Sequence, residues 1–400
     1  MRAALVLSVM CVIIICYTLR YEDTHVMLHI HWQWKTEKYE GQFSSVISKY
    51  LNARKNGLTH TQIAEEVFGV ILPNASEDID LLHSFPFLTG NTLMARADWV
   101  FSTKEVATLD WSWLGLKPLY AGSYKWIKRG NNEREMQDGD LIFVRSDEVE
   151  KFAKQVLPKL KNKFVLVTHN SDNSVPKEKH SFKMLEDPKL IHWFAQNAAL
   201  DHPKLEPIPI GIMSQGHQDG SGQTELWDKL LQQELEEGSV RDIDLYVNIS
   251  PRNRDWGWDK MRYNIFSALK NMPFSHVVGI SREHFNSSKP FTHYHKISSE
   301  QFLTDLIRSK FVLSPPGIGE DCFRTWESIL LGAVPVVYNS TGLHKLWAAA
   351  PVLALDNMED LKEEDLHSFG RDPKKQSGRE VALAPYWFEK IDRVRSKYMR

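Results

Sequence analysis

The stretch from Phe311 to Tyr338 reads F-V-L-S-P-P-G-I-G-E-D-C-F-R-T-W-E-S-I-L-L-G-A-V-P-V-V-Y. Phe311–Ser314 is apolar and stops at Pro315-Pro316, which predicts a short buried strand. Gly317 and Gly319 let a backbone pass close to a ligand. Asp321 is expected to open and cap the following helix. Asp321, Arg324 and Glu327 recur every three residues and so share one face, while Phe323, Trp326, Ile329 and Leu330 form the opposite, apolar face. Gly332 closes the helix, and Val334–Tyr338 predicts the next strand. A turn whose amides meet a helix N-terminus suits a phosphate. An arginine one turn in can bind phosphate oxygens, and a glutamate two turns in can accept from ribose hydroxyls.

The same alternation spreads outward. Leu245–Ile249, His276–Ile280, Phe311–Ser314, Val334–Tyr338 and Val352–Leu355 are expected strands, separated by helices near Lys260–Lys270, Ser299–Ser309 and Asp321–Leu331. Such alternation predicts parallel βαβ units, which bind ligands beyond the carboxyl ends of their strands. Upstream, Leu141–Val144 and Phe164–Thr168 predict strands around a Glu148–Leu157 helix. Ile191–Leu200 is expected to be a helix and Ile208–Ile212 a strand. Thr224–Glu237 predicts a charged linker helix, and the domain boundary is placed after it. Near the C-terminus, Trp387, Ile391, Val394 and Tyr398 make a helical stripe that could pack back on the first domain.

The 311–338 block resembles the signature of the exostosin-like glycosyltransferases. Thr168–Asp172 (T-H-N-S-D), Pro209–Ile212 (P-I-G-I) and Ile297–Leu306 also fit that family, so the resemblance covers roughly residues 91–355. It implies an α/β, GT-B-like architecture: two facing Rossmann-like domains with parallel sheets, preceded by an N-terminal membrane anchor. The expected organisation is a signal anchor over 1–20, a stem and capping region over 21–80, an acceptor domain over 81–238, a nucleotide-sugar donor domain over 239–370, and a loop with a returning helix over 371–400. The implied activity moves a sugar from a nucleotide diphosphate sugar to a glycan or glycoprotein hydroxyl, with inversion and without a divalent metal or other cofactor. Gly317, Gly319, Asp321, Arg324 and Glu327 would then form the donor-nucleotide site, joined by Arg262 in preference to Arg252 or Arg254. Across the cleft, His169 or Asp172 would serve as base, and Arg324 would receive the departing phosphate. The alternative for Thr168–Asp172 is a strand-end turn bonded to its own backbone. The rival function is a non-catalytic scaffold or partner subunit that keeps the fold.

Composition sets the outer limits. The chain has 400 residues, 25% charged and 42% hydrophobic, which is ordinary for a globular protein. A net charge of −2 gives no electrostatic case for nucleic acid. Ala3–Leu19 is apolar except for Ser8, Tyr17 and Thr18, and at 17 residues it is just long enough to span a membrane. A signal peptide has a similar core, but no small-x-small cleavage site follows Leu19, which favours an uncleaved anchor. With the resemblance, this places the chain in the Golgi or ER membrane as a single-pass type II protein with a lumenal domain, alone or as a homo- or hetero-oligomer. Cys11 and Cys16 lie in the apolar segment, leaving Cys322 as the one cysteine of the folded part and excluding an internal disulfide there. Sequons at Asn74 and Asn286 fall in polar loops suited to glycans; those at Asn248 and Asn339 sit in or beside a strand and are not expected to carry them. The D-x-D pairs at Asp78/Asp80 and Asp242/Asp244 read as solvated charges, and His293/His295 as part of a polar loop. His25, His29, His31, Trp32 and Trp34 read as a juxtamembrane aromatic cluster.

Overall fold

The computed structural model describes residues 42–70, 85–102, 117–121, 124–128, 135–213, 224–236, 240–250, 257–279, 297–370 and 377–399. The apolar segment, the 25–34 cluster, Asn74, Asp78/Asp80, Arg252, Arg254, Asn286 and His293/His295 lie outside these residues. No helix among the described residues is long and apolar enough to cross a membrane. The described residues form one compact unit with two sheets.

The first sheet contains β1 (Trp99–Ser102), β2 (Lys117–Ala121), β3 (Tyr124–Lys128), β4 (Asp140–Arg145), β5 (Phe164–His169), β6 (Leu190–Ala195) and β7 (Leu205–Pro207), in the order β2-β3-β1-β4-β5-β6-β7. Strands β1, β4, β5, β6 and β7 are parallel, whereas β3 runs antiparallel to both β1 and β2. The expected all-parallel sheet therefore carries an antiparallel hairpin at one edge. Its parallel strands follow chain order, and right-handed crossovers of one direction place their helices on one face. The helices linking β4 to β5 and β5 to β6 are Val149–Gln155 and Lys179–Met184. They pack with Phe101, Ile142, Leu166 and Trp193 on that face. The other face would be bare without help from elsewhere. It is covered by α1 (Gly90–Arg96) and by the C-terminal helix Ala384–Arg395, whose Trp387, Phe388 and Ile391 meet Val165, Val167 and Phe194. Arg395 reinforces that return, donating to the Asp98 carboxylate and to Gly139 O.

Two expectations in this half are corrected. Ile191–Leu200 is not a helix; its first half is β6, an interior strand between β5 and β7. A run buried on both faces has no period that separates helix from strand. Ile208–Ile212 forms no strand and turns at Gly211 (φ 77°) beyond the ladder, which ends at Pro207 because Pro207 and Pro209 have no N–H to donate. Ile208 N and Ile212 N are instead satisfied by Ala195 O at 3.0 Å and Leu88 O at 3.1 Å.

The second sheet contains β8 (Ile243–Val247), β9 (Ser275–Val277), β10 (Ser309–Leu313), β11 (Val334–Tyr338) and β12 (Leu353–Leu355), all parallel, in the order β9-β8-β10-β11-β12. Helix α2 (Asp259–Leu269) packs on one face through Ile265, Phe266 and Leu269. Helices α3 (Ser299–Arg308) and α4 (Phe323–Leu330) pack on the other. Ser298 caps α3, its Oγ accepting from Gln301 N at 3.1 Å. The apolar layer on the α4 face is continuous with that beneath the C-terminal helix, so one core joins both halves.

Candidate functional site

The order of the second sheet reverses between β8 and β10. The chain leaves β8 into α2 on one face and β10 into α4 on the other. Loops diverging in this way open a crevice at the carboxyl ends of the strands, where doubly wound sheets bind ligands. Gly317, Gly319, Arg324 and Glu327 follow β10 at that crevice, and Arg262 lies in the first turn of α2 on its far side.

The turn after β10 is built tightly. Ser314 N extends the ladder to Val336 O at 2.8 Å, and Pro315-Pro316 end it. Gly317 N donates to Gly319 O at 2.9 Å, so this amide is used within the turn and is not offered to a ligand as expected. Ile318 at the tip is exposed. Asp321 does not cap the helix: Cys322 is the N-cap and α4 begins at Phe323. The Asp321 carboxylate is buried and accepts from Ile210 N (2.7 Å), Cys322 N (2.8 Å) and Trp326 Nε1 (2.9 Å). Burial pushes its pKa up to about 7, against the pull of those donors. Asp321 thus joins the two halves instead of facing a ligand.

Arg324 and Glu327 differ from it. Arg324 is half-buried, and its Nε is buried with no hydrogen-bond partner among the described residues. Glu327 is 7% exposed, and among the described residues its Oε1 accepts only a long 3.4 Å bond from Met213 N. Burial raises its pKa to about 7, opposed by that amide and by the Arg324 charge. The helix that carries both is fixed at its far end. Arg379 donates to Ile329 O (3.0 Å) and Leu330 O (2.8 Å), and Arg241 donates to Leu331 O (2.9 Å). Glu234 bridges the two guanidinium groups at 2.8 and 3.2 Å. Cations at the last carbonyls complement the helix dipole, and nothing in the spacing of residues 234, 241 and 379 announced this arrangement.

The Thr168–Asp172 segment ends β5 opposite the turn. His169 is 2% exposed, with Nε2 2.9 Å from Pro209 O and Nδ1 2.9 Å from Asn170 Oδ1. Burial lowers its pKa, against the pull of the Asn170 and Pro209 oxygens. Both nitrogens are engaged, and His169 therefore does not present a free base to the crevice, contrary to expectation. Asp172 is exposed, and its backbone carbonyl lies beside Gly319. Sequence reasoning missed Asn197, which joins these segments; the polar Gln196-Asn197 pair after the buried Trp193-Phe194-Ala195 run was the available signal.

Asp242 and Asp244 pair with Arg308 and, at 2.6 Å, Lys310. Among the described residues no group of three or more His, Cys, Asp or Glu gathers as a metal site. Asn248 is buried, while Asn339 is exposed and donates to Asp356 Oδ1 at 2.8 Å.

No family model and no curated protein matches the chain. Among solved structures it is similar to the N-terminal domain of Candida albicans trehalose-6-phosphate phosphatase (12% identity, 66% of this chain and 71% of that one, TM-score 0.36). It is also similar to a UDP-forming alpha,alpha-trehalose-phosphate synthase of Burkholderia xenovorans in complex with glucose-6-phosphate (13% identity, 64% and 74%, TM-score 0.36). A third is the E. coli trehalose-6-phosphate protein bound with UDP-2-fluoro glucose (13% identity, 66% and 73%, TM-score 0.34). Likeness this distant assigns no activity, and what the site can do follows from its own residues.

Proposed function

We propose that the chain is an exostosin-like, GT-B-type glycosyltransferase that moves a sugar from a nucleoside diphosphate to a glycan hydroxyl. One observation carries the reading. At the crevice where strand order reverses, α4 holds a buried guanidinium nitrogen without a partner among the described residues and a carboxyl group with a single weak bond to them. Groups left unsatisfied at a ligand-binding crevice are suited to a ligand that supplies the missing bonds. Arg324 matches a diphosphate, and Glu327 matches hydroxyls of the attached ribose.

In this reading the acceptor oxygen loses its proton and forms a bond to the anomeric carbon from the face opposite the diphosphate. The carbon–oxygen bond to the diphosphate breaks, and the leaving group departs with the electron pair towards Arg324, whose charge serves in place of a metal. Asp172, whose side chain is exposed, takes the proton in this reading, while His169 holds the loop. The reading also includes a lumenal, membrane-anchored protein, from the apolar Ala3–Leu19 segment. The engaged state of His169 favours a second reading, a scaffold that keeps the fold without the base.

The two part on one experiment. The full chain is titrated with UDP, GDP and their sugar conjugates, with and without Mn²⁺, and melting is followed, since a ligand of the native state must raise its stability. The transferase reading expects one nucleotide to stabilise the protein without metal and to fail in Glu327→Ala. No shift from any nucleotide in a folded sample would leave the scaffold.

A further inference from the structure

We propose that Asn197 is a positioning residue: its one buried side-chain amide locks the 317–321 turn, and with it the start of α4, to the 169–172 loop of the other half. The inference rests on the transferase reading for its catalytic meaning, but not for its geometry.

Asn197 follows β6 and is fully buried. Its φ of 52° lies in the left-handed region, which costs a side chain free energy, and asparagine tolerates it better than most residues. The conformation aims its two amide atoms at different halves of the molecule. Oδ1 accepts from Asp321 N at 2.9 Å, and Nδ2 donates to Asp172 O at 3.3 Å. Its backbone carbonyl accepts from Val175 N at 3.0 Å, which holds the residue in place.

The turn is shaped to receive this side chain. A Cβ at Gly319 would lie 2.6 Å from Asn197 Nδ2, closer than side chains stand, and a tight 3.1 Å from Asp172 O. The next residue repeats the device, since a Cβ at Gly342 would lie 1.7 Å from Ala198 O. Residues 197–198 are therefore wedged between the loops that leave β10 and β11, with a glycine admitting them on each side. Asp321 closes the clasp by accepting from Ile210 N at 2.7 Å. Asp321 is two residues before Phe323, where α4 begins. A displaced Asp321 displaces the first turn of α4, and Arg324 with it. Removing the Asn197 amide would leave the buried Asp321 N–H without its acceptor, and such a group is expensive.

The test compares the wild-type full chain with Asn197→Gly, which keeps the left-handed backbone and deletes both bonds, and with Asn197→Asp, which keeps the Oδ1 acceptor for Asp321 N. Hydrogen exchange is read on peptides covering 317–322 and, as a control, on β5 and β10. UDP and GDP affinities are measured on the same samples. Asn197→Gly should speed exchange at 317–322 about tenfold or more while the control strands keep their protection. Asn197→Asp should restore most of that protection. The nucleotide that binds wild type should bind Asn197→Gly about tenfold more weakly, one decade being about 1.4 kcal/mol. Unchanged exchange at 317–322, or an equal rise in every peptide, would overturn the proposal. If wild type binds no nucleotide while the local loss of protection still occurs, the lock stands and the donor reading falls.

Discussion

Two strand ends face each other in this molecule, and both carry motifs rich in polar residues. At the end of β5, His169 has a partner on each ring nitrogen. Beyond β10, among the described residues, Arg324 keeps a buried nitrogen without one, and Glu327 makes one long bond. Residue type does not separate the two, because histidine, arginine and glutamate are equally plausible in a site. Bond completion does. A buried polar group whose partners are all internal serves the fold, and one left incomplete at a crevice is suited to a ligand.

The broadest way to break this contrast is to truncate one residue on each side. His169→Ala leaves Pro209 O and Asn170 without their partner and opens a cavity beneath α1, where a Cβ at Gly90 would lie 2.6 Å from His169 Nδ1. It should destabilise the fold by about 2–4 kcal/mol in urea melts, yet leave nucleotide affinity per folded molecule near wild type. Arg324→Ala should do the reverse. Stability should stay within about 0.5 kcal/mol, because no bond of Nε to the described residues is lost. Nucleoside diphosphate affinity should fall about 10- to 100-fold, the value of a charge-assisted contact. Large instability in Arg324→Ala with intact binding would invert the assignment.

Acidity sharpens the contrast. The Glu327 carboxyl, raised to about 7, keeps a proton in the folded state that the unfolded chain loses above about pH 4.3. Its contribution to stability is complete below that lower value and is lost as pH rises towards 7, on the order of 3 kcal/mol across the window. His169, lowered by burial, behaves in the opposite sense. Its contribution is present above the unfolded value of about 6.5 and is lost as pH falls below it. Glu327→Gln should therefore flatten the decline of melting temperature between pH 5 and 7. Asp321→Asn, by contrast, should destabilise at every pH, because an amide cannot accept from all of Ile210 N, Cys322 N and Trp326 Nε1. A Glu327→Gln profile parallel to wild type would show that Glu327 is ionised throughout.

Much of this was legible in the chain itself. The β10–α4–β11 unit announces its strand, turn and helix because Pro315-Pro316, Gly332 and the apolar stripe act over a few residues. Arg324 and Glu327 are singled out by spacing together with the family resemblance, since spacing marks Asp321 equally. What spacing could not carry was partnership across the sequence. Asp321 looks like a cap until Ile210, 111 residues away, is seen to donate to it. His169 looks like a base until Pro209 O occupies its Nε2. The strand β6 was mistaken for a helix because burial on both faces erases periodicity, and only its neighbours β5 and β7 define it.

The smallest expected effect tests the turn glycines against each other. Gly317 and Gly319 are two residues apart and look equivalent in sequence. A Cβ at Gly317 meets nothing within 4 Å, whereas one at Gly319 meets Asn197 and Asp172. Neither glycine is in the left-handed region, so no backbone penalty separates them. Gly319→Ala should cost about 1–3 kcal/mol in the free protein, the usual result of forcing a methyl group into a filled space. Gly317→Ala should change stability by less than about 0.5 kcal/mol. Its effect should surface only with ligand, as a modest loss of nucleotide affinity if a phosphate approaches the turn. Equal losses of stability in both variants would mean that the turn is held by its own backbone and not by the opposite half. An affinity unchanged in Gly317→Ala would move the diphosphate away from the turn and towards Arg324 alone.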